Sequence, residues 1–316
     1  MTLPTVKDVQ AVDPVLTNML VGYMQADTRF VAARVFPGVP VDKDSGTYYI
    51  FTKKYWFMRA MAVRAPGGQY ARGNFGVETA TYTTLQLALS APIADEVRAN
   101  SQLPMDLEQA AVRWLAQQSL IEKEVRFATD FMAASVWETT DNNSATDWDD
   151  FSNGDPVANI LTARRTISNS TGMAPNTMVV GSIVHEALVN HPDIIDRMKH
   201  VSVAGISGVS ASLASIFDLP NYHEAKGTYA NINEADAFAA TAIIDDDALI
   251  CYVSPSPGLF DASAGYTFNW APGGGMGGIK PKFRDEENDA DLIKYKEQWD
   301  QKVVATDLGY IFLDIV

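Results

Sequence analysis

One cysteine, four histidines and few basic side chains are what this 316-residue chain has least of. The single cysteine, Cys251, excludes an intramolecular disulfide framework. It lies in the apolar run 248–253, which predicts a buried small hydrophobe. Four histidines and one cysteine leave little from which to build a zinc or iron site. Lys and Arg total 24 against 39 Asp and Glu, for a net charge of −15. That balance argues against a general nucleic-acid binder, which needs basic surface to displace counterions from phosphates. It argues equally against docking on an anionic membrane. No apolar run approaches the ~20 residues of a membrane span. Lys7, Asp8 and Asp13 interrupt the start of the chain, where a signal peptide would need an unbroken apolar stretch. A soluble protein made in a reducing cytoplasm is expected.

Catalytic motifs are also missing. In HEALVNH the histidines His185 and His191 stand at i and i+6, roughly 240° apart around a helix. A zinc-protease helix needs them at i and i+4, so two ordinary histidines are expected. PGGGMGG (272–278) has no Lys-Ser/Thr after it and reads as a connector, not a phosphate loop. Asp147, Asp149 and Asp150 fail the calcium-loop pattern, because Phe151 takes the fifth position and no glycine follows at the sixth. Asp245, Asp246 and Asp247 read as a solvated turn before a strand. There is no GxSxG elbow, and Cys251 has no obvious partner histidine. No catalytic residue, metal ligand or cofactor site is assigned.

What is present is a folded chain: 47% of its residues are hydrophobic, and its length suits about two domains of ~150 residues. Residues 1–45 read as an arm punctuated by Pro4, Pro14, Pro37 and Pro40, with a short helix near 15–24. The 35–40 stretch VFPGVP cannot continue a helix, since each proline lacks a donor and restricts its predecessor. Residues 46–92 read as a long hairpin, with strands over 47–57 and 77–89 and the breaker-rich tip APGGQYARGNFG. Leu85, Leu87 and Leu89 share one strand face. Residues 104–132 predict a long helix. Pro104 suits the first turn and Asp106 and Glu108 favour its positive end. Leu107, Ala111, Leu115, Ile121, Val125, Ala128 and Met132 keep helical spacing, and Glu122 and Arg126 stand four apart. Residues 141–155 form an acidic linker. From 156 to about 256, helices alternate with short strands (177–180, 222–229, 248–253), the pattern of an α/β unit. The tail predicts strands at 280–284, 292–298, 302–304 and 310–316, the first two joined by the acidic turn DEENDAD.

One charge feature stands apart. Between Ser45 and Val77 there is no Asp or Glu, and the cations Lys53, Lys54, Arg59, Arg64 and Arg72 lie there, a +5 excursion in a −15 chain. The simplest reading is a solvated hairpin. The alternative is an intersubunit arm that docks on an acidic surface of a neighbour, with 141–155 or 285–291 (Asp285, Glu286, Glu287, Asp289) as receiver. Tyr48, Tyr55, Trp56, Phe57, Tyr70 and Phe75 in the hairpin suit an interface core. A lone hairpin is marginally stable, so the docking reading is preferred.

This order of parts resembles the major capsid proteins of tailed bacteriophages, with the α+β Hong Kong 97-type fold. The hairpin followed by the helix over 104–132 matches that family's extended loop and spine helix. Residues 155–198, with their TMVV strand and HPDIIDRM turn, look like the start of its axial domain. The tail FRDEENDADLIKYKEQWDQKVVATDLGYIFLDIV looks like its final strands. The resemblance implies an arm over 1–45, an extended hairpin over 46–92, a peripheral domain over 93–155 and 270–316, and an axial domain over 156–269. It implies a structural protein and not an enzyme. Hexamers and pentamers would close into an icosahedral shell around double-stranded DNA, held without sequence-specific binding and without a membrane. The expected location is the virion capsid, after synthesis in the host cytoplasm. With about 45 residues before the hairpin, a separate scaffolding protein is expected, alongside a portal and, in some shells, decoration proteins. Some relatives cross-link a hairpin lysine to an asparagine, and nothing in the sequence assigns that chemistry to Lys53 or Lys54. Behind this reading stand an encapsulin-like compartment shell and, from another class, a metal-dependent hydrolytic enzyme using the Asp-rich turns.

Overall fold

The computed structural model describes residues 25–51, 53–73, 76–100, 104–141, 147–200, 209–230, 237–258, 261–273 and 278–316. The helix expected near 15–24 lies outside them, as do the centre of the glycine connector and part of the acidic linker. In chain order the elements are α1 (Ala32–Val35), β1 (Gly38–Val41), β2 (Ser45–Phe51), α2 (Lys53–Phe57), β3 (Val77–Thr83), β4 (Leu85–Ala94), α3 (Asp95–Asn100) and α4 (Pro104–Phe131). There follow β5 (Thr139–Asp141), α5 (Pro156–Thr171), β6 (Thr177–Val180), α6 (Ser182–Asn190), α7 (Pro192–His200), α8 (Val209–Phe217), β7 (Asn221–Glu224), β8 (Thr228–Tyr229) and β9 (Thr241–Ala242). The chain closes with β10 (Ala248–Cys251), β11 (Gly265–Trp270), β12 (Gly278–Asp285), β13 (Ala290–Val303) and β14 (Gly309–Phe312).

Two five-stranded sheets organise the molecule. In the first, the order runs β1-β11-β13-β12, and β4 pairs with the other side of β13. The long strand β13 is the centre, meeting β11 near its end, β12 along its first half and β4 from Ala290 to Trp299. The 28-residue helix α4 is roughly 40 Å long at 1.5 Å per residue. It lies against this sheet through Leu115, which packs with Ala91, Ile93 and Ile293. The expected Glu122–Arg126 pair forms at 2.6 Å.

The second sheet runs β5-β14-β10-β6-β7. Its central strands are the continuous apolar runs TMVV, ALIC and GYIF, buried at every position. Such runs suit strands covered on both faces. Cys251 lies there fully buried, and burial pushes its thiol up to about 12. Helix α5 is delimited by its sequence. The Asp155 carboxylate accepts from Ala158 N at 2.9 Å, Pro156 opens the first turn, and Gly172 ends it at φ 71°, a left-handed conformation that suits glycine.

Several parts differ from the sequence-based layout. Residues 53–57, expected to continue a strand, form the short helix α2 instead. The strand expected over 77–89 is two strands. At Thr84, whose N–H donates to Asp44 O at 2.8 Å, the chain leaves β2 and joins β13. The composition changes at the same point, from Thr-rich to Leu-rich. The stretch assigned to an arm enters the core: Phe36 meets Phe127, Phe131 and Trp137 at centroid distances of 5.2, 4.7 and 6.5 Å, and β1 joins β11 in parallel. The prolines that bar a helix there are compatible with β1 as an edge strand. The final strand, grouped with the peripheral strands, is instead inserted in the second sheet between β10 and β5. The 3-10 turn Thr306–Leu308 breaks the run of strand before it. The acidic linker also contributes to the core, since Trp148 is fully buried 5.2 Å from Phe312.

Candidate intersubunit surfaces

The hairpin is β2 paired antiparallel with β3, from Ser45↔Thr83 to Phe51↔Val77. Its root is fastened to the first sheet. Tyr82 stacks on Phe268 at 4.7 Å and Tyr48 lies 5.3 Å from the same ring. The Tyr48 hydroxyl donates to Val303 O at 3.3 Å, and Thr83 N donates to Asp300 at 3.0 Å. The far end is open. Lys54, Arg59, Arg64 and Arg72 are exposed, and so are Phe57, Met58, Met61, Val63 and Tyr70, with Met61 95% and Val63 fully accessible. Arg64 covers the Tyr70 ring at 4.1 Å and donates to Gly68 O. Lys53 differs from the other four: it pairs with Glu138 at 2.9 Å and Asp307 at 3.1 Å of its own chain.

The acidic turn between β12 and β13 is partly neutralised where it stands. Arg284 meets both carboxylate oxygens of Asp95 at 2.8 Å, Asp289 at 3.2 Å and Asp291 at 3.5 Å. Arg98 meets Asp291 at 2.6 Å. Hydrogen bonding from Arg284 holds the Asp95 carboxyl below its usual range, and Arg98 does the same for Asp291. Asp285 accepts from Asn288 and from Glu287 N, which depresses it too. Glu286 and Glu287 remain exposed. Among the described residues no ion pair joins the five hairpin cations to this turn. In the other acidic segment Asp150 accepts from Asn153 and Ser152 N, and Asp155 caps α5.

Sequence reasoning missed two features. The first is a groove of about 290 Å³ between β4 and α4, lined by Leu87, Leu89, Leu115, Gln118, Glu122 and Tyr295. Leu85 and Leu89 are exposed beside it, and Trp114 is exposed on α4. The alternating leucines of β4 were visible; that their face stays open was not. The second is a pair of buried carboxylates on the sheet and helix. Glu297 accepts from Ser119 at 2.7 Å and pairs with Lys123 at 2.9 Å. Glu124 is fully buried and accepts from Val31 N and Ala32 N at 2.8–3.0 Å. Burial pushes Glu124 up to about 6, against the pull of those two N–H groups and of Arg34.

The suspected motifs resolve locally. His185 Nδ1 meets the Tyr222 hydroxyl at 2.8 Å, whereas His191 is buried and donates to Gly154 O at 3.2 Å. Among the described residues no group of three or more His, Cys, Asp or Glu gathers as metal ligands would. Asp247 accepts from Asp314 N, and burial, reinforced by Asp246, Asp314 and Asp245, pushes it up to about 6. Among the described residues no helix is long and apolar enough to cross a membrane.

No model of a known protein family matches the chain. It is 26% identical over 313 residues, 96% of each chain, to the major capsid protein of Burkholderia phage BcepMu. Among solved structures it superposes on a phage-related protein from Bordetella bronchiseptica with a TM-score of 0.69 at 22% identity, covering 96% of this chain and 97% of that one. It also superposes on the capsid structure of the cyanophage P-SCSP1u with a TM-score of 0.60 at 12% identity, covering 98% and 94%. The chain has the Hong Kong 97-type capsid fold. Within it the 28-residue helix α4 follows the hairpin β2–β3, and the second sheet packs with α5 to α8 in one core. The resemblance to tailed-phage major capsid proteins extends over nearly the whole chain, not over one motif.

Proposed function

We propose that this chain is a structural major capsid protein, the repeating subunit of an icosahedral shell that encloses double-stranded DNA. The observation that carries this reading is the match over 96% of both chains to a phage major capsid protein. The hairpin geometry supports it. A root packed on its own sheet and an exposed tip of cations and apolar side chains is a contact awaiting a partner. A tip that docks on a different patch of the next copy makes a heterologous contact, and heterologous contacts close into rings such as hexamers and pentamers. Lys54, Arg59, Arg64 and Arg72 supply the charge, and Glu286 and Glu287 or the Glu122-lined groove of a neighbour receive it. The first sheet with α4 forms the peripheral unit. The axial unit is the second sheet, including β5 and β14. Portal and scaffolding proteins are the expected partners, and the acidic subunit confines DNA without gripping it.

Electron microscopy of the purified protein tests the reading. Capsomers or closed particles are expected. A small monomer under all salt, pH and concentration conditions overturns it.

A further inference from the structure

Lys53 stands on the hairpin, yet its ammonium lies between two carboxylates of the body. Glu138 immediately precedes β5, and Asp307 lies in the turn that precedes β14. These two strands are parallel neighbours in register Tyr310↔Thr139, so the sheet itself sets the two acids side by side. Glu138 N donates to Thr306 O at 3.0 Å, which ties the two acid-bearing segments together. Four residues on, Phe57 approaches Gly172 at the end of α5; a methyl group there would sit 3.4 Å from its ring. The root contacts on Phe268 belong to the first sheet, whereas Lys53 and Phe57 reach the second sheet and its helix.

We infer that Lys53, with Glu138 and Asp307, is a latch that fixes the direction of the hairpin relative to its own body, so that the tip is presented to a neighbour at one place. Lys53 is then a positioning residue, unlike Lys54, Arg59, Arg64 and Arg72, whose charge faces outward. This rests on the capsid reading for its consequence but not for its existence. A hairpin held only at the root swings, and a small swing at the root is enlarged at the tip. A heterologous contact repeated around a ring tolerates little of that error before the ring closes with the wrong copy number. Burial of Lys53 disfavours its charge, but the hydrogen bonds to Glu138 and Asp307 outweigh it and hold the ammonium above its ordinary value. The latch therefore stays charged throughout the neutral range.

Two measurements on the full chain test the latch. The first is hydrogen exchange of residues 45–57 and 77–83 in the unassembled subunit. Lys53→Ala is expected to raise exchange there several-fold without changing the melting temperature, and Lys53→Arg to restore it. The double variant Glu138→Gln with Asp307→Asn is expected to match Lys53→Ala, and combining all three substitutions to add nothing. The second is the particle population by electron microscopy, where Lys53→Ala is expected to broaden the spread of diameters and Lys53→Arg to narrow it again. Wild-type exchange in Lys53→Ala overturns the latch, whatever the particles look like. Raised exchange in Lys53→Ala, with a wild-type chain that never assembles, keeps the latch and removes the capsid reading.

Discussion

Glu124 is buried with no ion pair among the described residues: its two closest partners are backbone N–H groups at the start of α1, 92 and 93 residues away in sequence. Spacing rules reveal Glu122 and Arg126, because i and i+4 are neighbours on any helix. They say nothing of Glu124, because no side-chain pattern marks a main-chain partner so far off. The sign of its pH effect follows from its raised pKa. The folded state binds the proton near pH 6 and the unfolded chain near 4.5. Its contribution to stability is thus full below about 4.5 and is lost as pH rises to about 6, up to ~2 kcal/mol in all. Melting temperatures of the wild type and Glu124→Gln should therefore diverge in favour of the wild type as pH falls from 6 to 4.5. Parallel curves would show that the burial penalty does not govern this carboxylate. Glu124→Ala should cost ~1–3 kcal/mol for each N–H it leaves unpaired, read by denaturant melts at pH 7.

At the scale of elements, the spine helix shows how far a sequence can be read. Its bounds followed from proline, charge and period, but of the expected stripe only Leu115 and Met132 are buried, and Ser119, Glu124, Phe127 and Phe131 supply the rest of the covered face. Leu115, on that stripe, is 1% exposed, and the adjacent Trp114 is 43% exposed. Leu115→Ala should therefore cost ~2–5 kcal/mol in a chemical melt, since it opens a cavity against Ala91, Ile93 and Ile293. Trp114→Ala should move the subunit's melting point little, and a large drop would mean that the exposed indole packs on something within its own chain. Local structure differed at 53–57, where the short helix α2 replaces the end of an expected strand, but elsewhere the cause was a change of partner. Residues 77–94 are extended throughout, as alternation implies, but the partner switches from β2 to β13 at Thr84. Likewise β14 is a strand as expected, and only its sheet differs. Periodicity reports the backbone's local state, while pairing depends on residues far off in the chain, such as Leu249 opposite Ile311, or Thr140 on its other side.

At the scale of the whole molecule, the net charge of −15 conceals a division of labour. The acidic turns are largely occupied locally, by Arg284, Arg98 and backbone donors. The hairpin cations beyond Lys53 have no such ion pairs among the described residues. The charge asymmetry of the hairpin was legible in sequence, but which cations are occupied was not, since Lys53 and Lys54 are adjacent and differ only in what the fold sets beside them. Reversing Arg59, Arg64 and Arg72 to Glu therefore tests the docking surface without touching the core. An exposed pair contributes about 0–1 kcal/mol, so circular dichroism and the subunit's melting point should stay at wild-type values. Assembly should suffer far more, because a closed shell repeats the same small term at every copy of the contact. Wild-type assembly should weaken as salt screens these exposed charges, and the triple variant should lose both its yield of particles and that salt dependence. Normal, salt-insensitive particles from the triple variant would show that apolar contacts from Met61, Val63 and Tyr70 hold the hairpin to its neighbour and that its charge does not.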